Sequence, residues 1–164
     1  MAARGIRDSV PRGCYPRMTQ VHIAVGVLTI ALTGVAGAWG AWCWWRARSN
    51  AWFWRLLRAS QLAVVIQAAL GGVLVLTGHK PPGLHVLYGV LPLLVSFFAE
   101  QLRISSAQMV LDQRGFESTQ AVGELAADEQ EGVVVAILQR ELGIMVLALL
   151  VNVVLLARAA MTGG

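Results

Sequence analysis

Four stretches of this chain, at about 21–45, 59–77, 84–102 and 133–157, are long and apolar in a way that few folds tolerate. A helix needs about 20 mostly apolar residues to cross the hydrocarbon of a bilayer, and these runs meet or approach that length. Only 13% of the residues are charged and 57% are hydrophobic, whereas a soluble domain carries about 25% charged residues. The 164 residues suit one domain. The expected fold is all-α: an integral membrane up-down four-helix bundle over residues 18–164, with a charged helical extension before the fourth helix and a tail of residues 1–17.

The net charge of +4 does not point to nucleic acid, because the basic residues sit at the ends of the apolar runs. There they meet headgroups and set orientation. Trp42, Trp44, Trp45, Arg46 and Arg48 close the first run, and Trp52, Phe53, Trp54, Arg55 and Arg58 repeat the pattern in mirror image. Residues 46–55 therefore read as a short surface loop. Gly26, Thr33, Gly34, Gly37, Gly40 and Ala41 form a ladder of small residues on the first helix, which admits a close neighbour. Cys14 and Cys43 flank the first span, so a membrane keeps them apart, and no cysteine spacing suits a metal.

The second and third runs are joined by Gly78-His79-Lys80-Pro81-Pro82-Gly83, which ends one helix and starts the next. Pro92 lies inside the third run and is tolerated there if neighbours satisfy the carbonyl it frees. Residues 103–132 are the strongly charged segment, helical outside the bilayer by the spacing of Val122, Leu125 and Ala126, with a turn at Asp112-Gln113-Arg114-Gly115. Gln139, Arg140 and Glu141 interrupt the fourth run, which puts 142–157 in the hydrocarbon and makes Arg140 and Glu141 candidates for an ion pair at the interface.

Orientation turns on the start of translation. One side holds Arg4, Arg7, Arg12, Arg17, Lys80 and Arg158, and the other holds Arg46, Arg48, Arg55, Arg58, Arg103, Arg114 and Arg140, six against seven. Translation from Met18 removes four of the first set and leaves two against seven. That places both termini and the His79 loop outside, with a prokaryotic inner membrane as the expected location.

The three histidines then fall at one membrane face. His22 opens the first run, His79 follows the second and His85 opens the third. Neutral imidazole is the commonest side-chain ligand for metals and for haem iron. His22 and His85 lie at similar depth on parallel helices, the arrangement two axial haem ligands need. Gly26 and Gly89 leave room beside them for a macrocycle edge, and Tyr88 and Gln20 are in reach of a propionate or a ring nitrogen. The competing reading of each histidine is an interfacial side chain with no ligand.

Residues 64–102, VVIQAALGGVLVLTGHKPPGLHVLYGVLPLLVSFFAEQL, resemble the third and fourth helices of one half of a haem A synthase. The shared elements are Gln67, Leu70 and Gly71, a turn containing Gly78, and then Leu84-His85 opening the next helix. The first run is similar to that family's preceding helix, whose N-terminal histidine is the opposite ligand and corresponds to His22. The resemblance implies axial ligation of haem by His22 and His85 on the outer side. The chain departs from the family where a glutamate stands three residues before the first histidine and an arginine follows it. Here those positions are Thr19 and Ile23. The family's cysteine pair and second bundle are also lacking. Without that carboxylate, holding a haem b is expected and oxidising a haem methyl group is not.

The leading functional expectation is a small b-type cytochrome passing electrons between a quinol or redox-protein partner and an extracytoplasmic acceptor. The alternative is a cofactor-free accessory or assembly subunit of a larger membrane complex, docking through the acidic segment 112–131. A third reading is a copper or zinc site shared by His22, His79 and His85.

Overall fold

The computed structural model describes residues 15–115, 123 and 125–163. Those residues form five helices and no strand: α1 (Tyr15–Trp45), α2 (Ala51–Leu76), α3 (Gly83–Ile104), α4 (Ser106–Arg114) and α5 (Ala127–Thr162). Four of them, all but α4, are long and apolar enough to cross a membrane. Their burial is inverted relative to a water-soluble protein. Leu76 is 87% exposed and Leu28 and Phe98 also face outward, whereas Thr29, Thr33, Ser60 and Asn152 are buried between helices. An exterior of large apolar side chains around a partly polar interior is what hydrocarbon as solvent selects. The protein is a helical integral membrane protein.

The α1–α2 contact follows a seven-residue register. Gly26 lies against Gln67, Thr33 against Ser60 and Gly40 against Phe53, as α1 descends and α2 returns. The Thr33 hydroxyl donates to the Thr29 carbonyl at 2.7 Å, so its oxygen is left to accept from the Ser60 hydroxyl at 2.9 Å. Small residues on α1 thus admit larger ones from α2. Gly37 meets Leu149 and Leu150 of α5 in the same way, and Gly143 of α5 meets the Trp44 indole of α1. The main apolar core gathers Ala36, Cys43, Phe53, Leu57, Leu142, Met145, Val146 and Leu149.

α5 packs along both α1 and α3. Against α3 it is pinned at one level by Asn152, whose amide donates to the Ser96 hydroxyl at 3.0 Å. At the tryptophan-rich end it is pinned by Glu141, whose carboxylate lies 3.8 Å from Arg103. Glu100 of α3 also accepts from Arg58 and Gln61 of α2 and from Arg103 of its own helix. Three helices, α2, α3 and α5, are therefore tied by charge where the apolar runs end, within reach of headgroups.

Several boundaries differ from the sequence reading for identifiable reasons. α2 begins at Ala51, well before 59, because the Asn50 side chain caps it by accepting from the Trp52 amide and Phe53 is fully buried. Trp52–Arg58 is helix, and the surface loop shrinks to 46–50. α5 runs unbroken through Gln139–Glu141 because partners meet its polar groups: Arg140 donates to Gln113, and Glu141 pairs with Arg103 in place of Arg140. Asp112–Arg114 are the last turn of α4, and only Gly115, with φ of 76°, takes the left-handed conformation that ends it. Residues 125 and 126 are not helical, and Val122 lies outside the described residues. So do 1–14, which hold most of the tail, and 116–121 and 124 of the acidic segment.

Candidate functional site

His22 and His85 reach one another from different depths in their helices. His85 is in the first turn of α3, while α1 starts at Tyr15 and carries His22 two turns inside. The imidazole centres are nonetheless 6.1 Å apart, with the ring planes inclined at 63°. Two imidazoles binding one metal ion from opposite sides, each nitrogen at about 2 Å, have centres roughly 6 Å apart. The spacing and inclination are those of an edge-to-face ring contact, and the distance also matches that of a shared ion.

Each ring lies across one turn of a neighbouring helix, with a polar group at one end of that turn and a glycine at the other. His22 rests on Gln67 and Gly71 of α2: the carboxamide nitrogen is 3.3 Å and 3.4 Å from its two ring nitrogens, and a Cβ on Gly71 would sit 3.2 Å from Cε1. His85 rests on Ala159 of α5 and on Gly163, which caps that helix: its Nδ1 donates to the Ala159 carbonyl at 2.8 Å, and a Cβ on Gly163 would come within 2.6 Å of that nitrogen. Residues four apart stack on one helix face, so polar group and glycine form a seat for the flat ring.

The His85 contact settles its chemistry. A carbonyl only accepts, so Nδ1 carries the proton and the lone pair is left on Nε2. The acceptor also belongs to the last turn of α5, where unpaired carbonyls and the helix dipole favour positive charge. A cationic metal centre suits that end of the helix.

The remaining residues divide. Gly89 has open space, with nothing within 4 Å of where a Cβ would stand, one turn along α3 from His85. The equivalent space over Gly26 is filled by the Gln67 carboxamide, 2.9 Å from a Cβ there, so that glycine makes room for Gln67 rather than for a macrocycle edge. Tyr88 is half-buried beneath Arg158, whose guanidinium is 5.9 Å from the ring centre, and Gln20 is exposed. His79 is exposed in the α2–α3 turn, and its backbone amide closes that turn by donating to Leu74. Gly78, at φ of 98°, makes the turn possible. Among the described residues no group of three His, Cys, Asp or Glu side chains lies close enough to hold a metal ion, so His79 does not join the other two.

The constellation thus offers two imidazoles with centres 6.1 Å apart, one of them with Nε2 free, and open space over Gly89 one turn from it. Sequence reasoning missed Gln67 as a partner of His22, and it missed Gly71, Ala159 and Gly163 altogether as parts of the site. The only signal for the first pair was the four-residue spacing Gln67–Gly71 within the haem A synthase-like stretch, and a backbone carbonyl leaves no signal at all. Comparison of the chain with known protein families, curated proteins and solved structures found no match.

Proposed function

We propose that this chain is a small b-type membrane cytochrome, an up-and-down four-helix bundle in which His22 and His85 are the axial ligands of one haem b. The observation that carries the reading is the pair of imidazoles 6.1 Å apart, with His85 held by Ala159 in the tautomer that ligates. The resemblance of residues 64–102 and of the first run to helices of a haem A synthase half supports the same two ligands. Bound haem supplies one-electron chemistry at its iron.

The chain's own residues position and insulate. Gly71 and Gly163 back the rings, Gln67 and Ala159 hold them by hydrogen bonds, and the apolar faces of α1 and α3 exclude water. A haem held by both histidines would have no position open for substrate, which favours relay of electrons between a quinol or redox-protein donor and an extracytoplasmic acceptor. Thr19, where haem A synthases carry glutamate, argues against oxidation of the haem itself. Arg46, Arg48, Arg55 and Arg58 at the opposite end favour a cytoplasmic position for that loop, with the histidine end outside a prokaryotic inner membrane.

Protein purified from cells supplied with haem should give a b-type pyridine haemochrome and a low-spin spectrum. His22→Ala and His85→Ala should each abolish the low-spin form. A colourless wild-type preparation would overturn the reading and favour the cofactor-free accessory subunit.

A further inference from the structure

The arginines around the α1–α2 turn divide by partner. Arg58 and Arg103 pair with Glu100, and Arg103 also with Glu141. Arg46, Arg48 and Arg55 are exposed and make no ion pair among the described residues. Two of these three lie on indole faces instead. The Arg46 guanidinium is 4.7 Å from the ring centre of Trp42, and that of Arg55 is 5.1 Å from the ring centre of Trp52.

The α1–α2 register gives the depth of both seats. Gly26 faces Gln67, Thr33 faces Ser60 and Gly40 faces Phe53, so two residues past Gly40 Trp42 stands level with Ala51, beside Trp52. The two indoles share a depth, but their arginines start from different ones. On the same count Arg46 stands level with Ala47, eight residues short of Arg55, which is about 12 Å at the helical rise. Arg46, at the water-side end of α1, turns back toward Trp42, and Arg55 reaches out toward Trp52. Both guanidinium groups finish at one level.

Indole rings settle at the headgroup level of a bilayer, and the guanidinium fork fits a phosphate by two-point contact. We propose that Arg46 and Arg55, each held on its indole, bind the phosphate groups of anionic phospholipids, so that the α1–α2 turn selects these lipids from the surrounding bilayer. A zwitterionic headgroup offers the same phosphate but brings a cation of its own, which the arginines repel. The proposal is independent of haem ligation.

All six tryptophans lie within 39–54, so intrinsic fluorescence reports on this end of the protein alone. The full chain is reconstituted in phosphatidylcholine vesicles carrying an equal fraction of brominated phosphatidylglycerol or brominated phosphatidylcholine, and quenching gives the relative affinity for the two headgroups. Wild type should favour phosphatidylglycerol about 5-fold or more. Arg46→Gln with Arg55→Gln should bring the ratio close to unity. Arg48→Gln, which removes a charge from the same turn but not from an indole, should keep most of the preference. A loss in Arg48→Gln equal to that in Arg46→Gln would reduce the effect to net charge and overturn the two seats. Inorganic phosphate at constant ionic strength should leave the ratio unchanged, and its abolition would assign the seats to the free anion and overturn the lipid. Equal quenching by the two lipids in wild type would overturn the proposal without any variant.

Discussion

Gly163 and Gly71 show how much depends on an absent methyl group. A side chain at 163 would press on His85 Nδ1 from 2.6 Å, the atom that donates to Ala159, whereas one at 71 would meet the carbon edge of His22 at 3.2 Å. Gly163→Ala should therefore weaken haem retention more than Gly71→Ala. Losing an outer partner of a metal-bound histidine lowers affinity about 10- to 100-fold, and transfer of haem to an apoprotein scavenger would measure both variants. At this scale the sequence was informative about the two histidines that meet and silent about what lies beneath them. His22 and His85 stand out because imidazole is rare in the chain and both open apolar runs. The seats beneath them are built from glycines, an amide and a main-chain carbonyl. Their relevance exists only once α2 and α5 are docked at a particular register.

Between elements, the α1–α2 seam makes two measurable claims. A methyl group at Gly40 would fall onto the Phe53 ring and within 2.8 Å of Val146 Cγ2, so Gly40→Ala should destabilise the protein by about 1–3 kcal/mol, read from unfolding in mixed micelles. The Thr33–Ser60 pair is buried at the same seam. A cycle of Thr33→Val and Ser60→Ala should give a coupling of about 0.6 kcal/mol, with about 1.7 as the upper bound for interhelical hydrogen bonds in a membrane. The ladder of small residues on α1 was legible from composition alone, but its partners were not. The four apolar runs were legible too, because hydrocarbon imposes a length. The ends were misjudged where polar residues are satisfied by distant ones: Trp52–Arg58 looked like a loop until Asn50 capped it, and Gln139–Glu141 looked like a break until Gln113 and Arg103 answered it.

At the scale of the whole molecule, the positive charge of the described residues is concentrated at the tryptophan-rich end. In a chain whose two native cysteines are replaced by serine, Lys80→Cys should react with an impermeant thiol reagent in intact cells, and Arg48→Cys should react only after lysis. The reverse result would invert the proposed orientation. Glu100 binds α2 to α3 and, through Arg103, brings α5 into the same cluster. Glu100→Gln should consequently lower thermal stability in detergent by more than Asp112→Asn, whose exposed carboxylate accepts, among the described residues, from Gln108 of its own helix.

The register that joins α1 to α2 also separates the two histidines by what each depends on. Gly26–Gln67, Thr33–Ser60 and Gly40–Phe53 are complete within that hairpin. The seat of His22 thus needs neither α3 nor α5. His85 lies a few residues beyond α2, but its carbonyl partner is 74 residues further along, in the last turn of α5. One imidazole is held by the next helix in the chain and the other only by a distant one. The pair is therefore held on both sides only when α5 has docked.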